Sequence, residues 1–118
     1  MKIALPLDED KKSVCVAFGR APFFLVHDTD TKTQEIVPNP GAAAEGGAGL
    51  KAAQAVVDSG AQALITPRCG ENAAEVFRAA EIRIYQTQGR AAADNIFAFE
   101  AGKLEELTHF HAGYHGIR

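Results

Sequence analysis

The hydrophobic pattern of this 118-residue chain changes about a third of the way along. As far as residue 38, apolar residues occur in short runs separated by polar turns, a pattern typical of β-strands. From residue 48 onward, apolar runs of strand length alternate with segments whose apolar residues recur at helical spacing. The predicted strands span 2–6, 14–16, 23–28, 34–37, 63–65 and 83–86, and the predicted helices span 48–58, 73–80 and 91–100.

This order of elements predicts an α/β fold built on a mixed sheet. The strands of the first third form an antiparallel meander, because short turns connect them. The later strands are separated by helices, and such connections require parallel strands with right-handed crossovers. Residues 1–104 are therefore predicted to form a single domain, and 105–118 a histidine-containing C-terminal tail with little periodicity.

Charge and cysteine content narrow the class of protein. The net charge of −3 argues against binding to nucleic acid or to an anionic membrane surface. No apolar run reaches the length of a membrane span, and we expect a cytoplasmic protein. Cys15 and Cys69 are far apart and form no C-x-x-C motif, so we expect no disulfide between them.

A glycine-rich segment, Gly46-Gly47-Ala48-Gly49, opens the first predicted helix. Glycines allow the backbone to approach a ligand closely, and the free N–H groups at a helix start favour an anion. The segment is neither a P-loop nor the dinucleotide-binding fingerprint. The alternative interpretation is a flexible loop leading into a helix.

The second candidate is the junction Arg68-Cys69-Gly70-Glu71-Asn72, between a predicted strand and the helix that follows it. A thiol near a helix start and beside an arginine is expected to be more acidic than free cysteine. Cys69 could then ligate a soft metal, attack an electrophile or sense oxidants. Alternatively, it is a small residue packed in a tight turn.

Two further segments contain candidate ligand-binding side chains. Arg20, within Phe18-Gly19-Arg20-Ala21-Pro22, could hold an anion with its guanidinium group, although this segment is equally consistent with a turn flanked by core phenylalanines. The tail carries His109, His111 and His115, and histidine-rich segments can bind metal. We find no catalytic set of a nucleophile with a histidine and a carboxylate, and therefore predict that the protein is not an enzyme.

Three motifs together resemble one family. Phe18-Gly-Arg-Ala-Pro-Phe23 precedes a strand, Gly47-Ala-Gly49 opens a helix, and Cys69-Gly-Glu-Asn-Ala73 leads into the next helix. Their order and spacing resemble the dinitrogenase iron–molybdenum cofactor biosynthesis family, which includes NifX, the C-terminal domain of NifB and the orange protein. The resemblance spans roughly residues 1–104.

The resemblance implies a ribonuclease H-like α/β fold with a mixed five-stranded sheet flanked by about three helices. It also implies a non-catalytic carrier or scaffold for an anionic iron- or molybdenum-containing sulfur cluster, with cofactor-assembly proteins as partners. Mapped onto this sequence, the cluster-binding residues are Phe18, Gly19, Arg20, Gly46, Gly47, Gly49, Arg68, Cys69, Gly70 and Asn72. The candidate metal ligands are Cys69, His109, His111 and His115.

Glu71 departs from the family pattern, in which many members have proline, and its carboxylate would repel an anionic cluster unless it points away. Three other functions stay open. The protein could be a thiol-dependent redox or transfer enzyme using Cys69, or a regulatory module that has kept the fold. A nuclease is suggested by fold analogy alone and lacks clustered carboxylates beyond Asp8–Asp10.

Overall fold

A computed structural model of the protein describes residues 1–111, and within them five strands form a single mixed sheet. The strands are β1 (Lys2–Leu7), β2 (Phe23–Asp28), β3 (Gln34–Pro38), β4 (Ala63–Thr66) and β5 (Arg83–Gln86). The helices are α1 (Ala48–Asp58), α2 (Glu71–Ala79) and α3 (Ala92–Glu100), and a short 3-10 helix covers Phe18–Arg20. These elements confirm the predicted α/β class.

The sheet has the strand order β3-β2-β1-β4-β5. Strand β2 is antiparallel to both β1 and β3, whereas β1, β4 and β5 run parallel. The central strand β1 is buried from Ile3 to Leu7, because helices cover both faces of the sheet. The predicted antiparallel meander and parallel half are therefore both confirmed.

Alternate residues of each strand supply two cores, one on each face. Ala4, Phe24, Leu64 and Ile84 pack against α1 and α2. Their neighbours Ile3, Leu25, Ala63 and Ile65 pack against α3. Since successive side chains of a strand point to opposite faces, α1 and α2 lie on one side of the sheet and α3 on the other.

The predicted strand at residues 14–16 is wrong. Val14 makes an isolated bridge to Leu7, and its amide donates to the Arg90 carbonyl at 2.7 Å. Pairing stops there because Val16 is 54% exposed and the 3-10 helix begins two residues later. The segment is a loop that caps the end of β1, which leaves the five strands that the family resemblance implied.

Residues 104–111 continue along the domain. The Gln86 amide donates to the Glu105 carbonyl and the Leu107 amide donates to the Ile84 carbonyl, both at 2.8 Å, so this segment pairs briefly with the outer edge of β5. Leu107 and Phe110 pack against the core beneath α1 and α2. The tail predicted from 105 onward thus begins with a segment attached to the sheet edge, and residues 112–118 lie outside the described part.

Candidate functional site

The three motif-bearing loops lie at one edge of the sheet. The parallel strands β1 and β4 end there, at Leu7 and Thr66. The antiparallel pairing of Leu7 with Phe23, and of Phe23 with Pro38, brings the start of β2 and the end of β3 to the same edge. The loops 18–22, 39–47 and 67–70 therefore meet where α1 and α2 begin, as expected for ligand sites in open α/β sheets.

The first two loops are packed backbone against backbone. A Cβ atom at Gly19 would lie 3.1 Å from the Gly49 Cα and amide nitrogen. A Cβ atom at Gly41 would lie 2.5 Å from the Ala48 carbonyl oxygen and 2.7 Å from that of Gly19. A side chain at 41 would clash with both carbonyls, and one at 19 would push the start of α1 away, so glycine at these positions lets the 3-10 helix, the loop and the start of α1 form one unit.

Asn39 holds this unit together, and the sequence reasoning missed it. Its side-chain amide donates to the carbonyls of Gly19 and Ala21 at 3.1 and 2.9 Å. Its Oδ1 atom accepts from the Gly41 amide at 2.9 Å, and the residue is buried. The sequence signal for this role is Pro-Asn-Pro at residues 38–40, which is typical of a turn. In such turns, the asparagine side chain accepts a hydrogen bond from the backbone amide two residues ahead.

Arg20 faces the glycine-rich loop. Its Nη1 atom donates to the Gly41 and Ala42 carbonyls, each at 3.5 Å, and also to the Ala44 carbonyl. These contacts tie the loop to the 3-10 helix and use one of the two terminal nitrogens of the guanidinium. In the structure, Arg20 therefore organises the loop beside the helix start.

Phe18 contributes to the core beneath the site. It is 4% exposed, and its ring centroid lies 5.4 Å from that of Phe24 and 5.7 Å from that of Phe77. Such tilted and edge-on aromatic pairs stabilise a core beyond simple area burial. The ring fixes the position of Gly19 and Arg20, in agreement with the alternative that these phenylalanines are core residues.

The start of α1 presents backbone donors beside open space. Gly47 precedes the helix with φ of 69°, a left-handed conformation that favours glycine. A Cβ atom at Gly46, Gly47 or Gly49 would meet nothing within 4 Å. Among residues 1–111, the amides of the first helical turn, 48–50, have no hydrogen-bond acceptor. An anion could approach them directly.

The start of α2 is partly covered. Gly70 precedes the helix, and the Glu71 amide donates to the His111 carbonyl at 2.9 Å. Within the described residues, the next two amides of this helix, Asn72 and Ala73, have no acceptor. Arg68, Glu71 and Asn72 all have exposed side chains, and the buried Thr66 hydroxyl donates to the Arg68 carbonyl at 2.9 Å, which shapes the turn.

Cys69 is the residue for which the sequence expectation is wrong. It is 1% exposed, and burial raises the pKa of its thiol to about 12. The expected acidic thiolate would need water or a cation close to the sulfur, whereas the side chain packs in the core with α1 and α2. The Sγ atom lies 3.6 Å from the Gly70 carbonyl oxygen. At neutral pH, Cys69 is a protonated thiol.

The histidine candidates do not gather in one place within residues 1–111. His109 and His111 are both exposed, and the His111 backbone bridges Cys69 and Glu71. His115 lies outside the described residues. In the part of the chain that is described, no group of three histidine, cysteine, aspartate or glutamate side chains is arranged to hold a metal ion. A role for these histidines as ligands stays a prediction.

None of the helices within residues 1–111 has both the length and the apolar character needed to cross a membrane.

Comparisons with known proteins assign the chain to a family. The family model described as "Dinitrogenase iron-molybdenum cofactor" matches residues 1–102. The comparison with curated proteins found no match.

Solved structures share the fold over most of their length. The apo orange protein from Desulfovibrio gigas is 31% identical with a TM-score of 0.83, over 91% of this chain and 92% of that one. A Thermotoga protein assigned to NifB is 35% identical with a TM-score of 0.78, over 96% and 98%. A Methanocaldococcus jannaschii protein assigned as a dinitrogenase, 23% identical with a TM-score of 0.72 over 92% and 96%, shares the fold. The chain belongs to the dinitrogenase iron–molybdenum cofactor family.

Proposed function

We propose that the protein binds a small anionic metal–sulfur cluster, of the iron- or molybdenum-containing type, and carries it as cargo. The single observation that supports this most is the pair of helix starts at one sheet edge, with open backbone amides at 48–50 and at Asn72 and Ala73. Aligned peptide dipoles make such helix starts favourable for negative charge. The family name and the similarity to the orange protein and to NifB support a cluster over other anions.

The primary contact in this proposal is the α1 wall, which consists of the glycine-rich segment and the first-turn amides at residues 46–50. Gly46, Gly47 and Gly49 leave space in front of the backbone, so sulfide ligands of a cluster can reach the amides without meeting side chains. Arg20 holds this loop in place through three carbonyls and adds positive charge beside it. The second side of the site, the α2 wall, consists of residues 68–73 at the start of α2. Arg68 adds an exposed guanidinium there.

Glu71 is compatible with this arrangement, since its side chain is exposed. An acidic residue in the first turn of a helix is also stabilised by the helix dipole. A carboxylate that extends into solvent, where water and salt screen it, repels a bound cluster weakly. Glu71 therefore reduces affinity modestly without blocking the site.

The chemistry of Cys69 favours cluster binding by backbone amides over a thiol-dependent enzyme activity. A redox or transfer enzyme needs an accessible thiolate at neutral pH. Burial of Cys69 and the high pKa of its thiol oppose both requirements. Cys69 serves as a metal ligand only if its loop moves and the metal displaces the thiol proton, as metal binding does elsewhere.

The test is anaerobic incubation with iron(II), molybdate and sulfide, followed by gel filtration, metal analysis and visible absorption. We expect a coloured protein that retains metal. The matched variants are Gly46→Asp and Gly46→Asn, because position 46 has room for either side chain. Gly46→Asp should bind about tenfold more weakly or worse, since a new negative charge faces the anion, whereas Gly46→Asn should bind nearly as the parent does.

Three results would count against parts of this proposal. If the parent protein retains no metal, cluster binding is wrong. If Gly46→Asp binds as well as Gly46→Asn, the cluster is bound elsewhere. A third variant, Cys69→Ala, separates the two modes of binding: unchanged metal content shows that the backbone carries the contact, and complete loss shows that the sulfur is a ligand.

A further inference from the structure

We propose that residues 105–111, hereafter the strap, cover the start of α2 and are released from it when the cluster site is loaded. This inference rests on the proposed function, because it concerns access to the same site. Its basis is the position of His111, whose carbonyl occupies the first backbone donor of α2. The strap thereby regulates one of the two walls of the site.

The strap is attached to the edge of β5 by a short pairing. Tyr85 and Glu106 lie opposite each other, flanked by the bonds from Gln86 to Glu105 and from Leu107 to Ile84. A single antiparallel bridge of this kind contributes little stability compared with a complete strand. Leu107 and Phe110 supply additional attachment, since both are half-buried against the core.

At its far end the strap closes over the Cys69 loop. The His111 amide donates to the Cys69 carbonyl at 3.3 Å, and the His111 carbonyl accepts from the Glu71 amide at 2.9 Å. The imidazole packs directly on the glycine, because a Cβ atom at Gly70 would lie 3.1 Å from the His111 Cε1 atom. Any other residue at position 70 would push this ring away.

The strap and an anion compete for the same group. A helix start binds an anion through its first-turn amides, and the Glu71 amide cannot bond fully to both the His111 carbonyl and a sulfide ligand. Within residues 1–111, the corresponding amides of α1 have no such cover. A cluster can therefore contact α1 first and reach the whole α2 wall only after the strap leaves.

The first measurement needs no ligand. Native-state hydrogen exchange reports local openings that cost less than global unfolding. We expect the amides of Gln86, Leu107 and Glu71 to exchange through one shared opening, faster than the core amides of β4. Leu107→Ala should speed all three by about tenfold, because it removes part of a half-buried side chain, whereas the exposed neighbour Thr108→Ala should leave them unchanged.

Exchange of these three amides only at the rate of the β4 core would overturn the strap as a separate unit. So would a Leu107→Ala effect that spreads equally to β4, since that result indicates general destabilisation.

The second measurement uses protein loaded anaerobically with iron(II), molybdate and sulfide. We expect the Leu107 amide to exchange at least about tenfold faster in the loaded protein, and Leu107→Ala to retain metal at a lower free concentration than Thr108→Ala does. Loading with unchanged or slower Leu107 exchange overturns the strap proposal and leaves the proposed function intact. Absence of loading in the parent and in Leu107→Ala overturns both.

Discussion

Substitution of Asn39 by alanine should destabilise the protein more than any exposed change in the same site. The substitution removes three hydrogen bonds, two donated to the Gly19 and Ala21 carbonyls and one accepted from the Gly41 amide. Each such bond contributes about 1 kcal/mol net, and a buried group left without a partner costs about 1–3 kcal/mol. Water can reach part of the loop, so we expect a loss of about 2–3 kcal/mol.

Urea unfolding followed by circular dichroism measures this change. With a slope of about 1.5 kcal/mol per molar urea for a small domain, the midpoint should fall by about 1–2 M. The matched control is Asn72→Ala, an exposed asparagine in the first turn of α2 whose change should remain within about 0.5 kcal/mol. A loss for Asn39→Ala no larger than that of the control would show that Asn39 does not hold the loops together.

Three further predictions concern the loops and the thiol. Gly41→Ala should lower the free energy of unfolding by about 1–3 kcal/mol in the same urea assay, because its Cβ would lie 2.5 Å from the Ala48 carbonyl oxygen. The control Gly46→Ala should be nearly neutral, since position 46 has open surroundings. Equal effects of the two substitutions would contradict this. Cys69 should resist alkylation by iodoacetamide in the folded protein at pH 8, since a rise in pKa from 9.0 to about 12 lowers the thiolate fraction by about a thousandfold. Labelling at the rate of the urea-unfolded chain would refute that. Backbone amides of Lys12 and Ser13 lower the pKa of Asp10 from 3.8 to about 2. The ionised Asp10 carboxylate therefore stabilises the fold fully above pH 3.8, and this contribution is lost as the pH falls toward 2. Asp10→Asn should flatten this part of the stability–pH curve, and an unchanged slope would refute the assignment.

Local sequence was sufficient to predict the secondary structure, because strands and helices in this fold follow the local pattern of apolar residues. Within residues 1–111, apolar runs and helical spacing located the five strands and the three α-helices, since a buried strand or an amphipathic helix must show that periodicity. The extra strand at residues 14–16 shows the limit of this reasoning. Three apolar residues satisfy the pattern, but a strand also needs a partner strand along its whole length. Val14 instead makes an isolated bridge to Leu7 and donates its amide to the Arg90 carbonyl of another loop.

The glycine motifs were also recognisable from sequence. Glycine occurs at a helix start for few physical reasons, chiefly a left-handed backbone conformation or the close approach of another group. What the sequence could not provide was the direction of each side chain. Arg20 points to the carbonyls of the 41–44 loop, and Cys69 points into the core. Neighbours in sequence suggested an acidic Cys69 thiol, whereas burial by residues distant in sequence raises its pKa.

Tertiary structure alone brought Gly19 to Asn39 and Gly41, and placed His111 over Gly70. Residues 111 and 70 are separated by three elements, α2, β5 and α3, so no local pattern links them. The sequence by itself determined the described strands and helices, apart from the extra strand predicted at residues 14–16, and the placement of glycine at the helix starts. Contacts between distant segments decided which of those helix starts is open and which is covered, because access depends on what packs against a group.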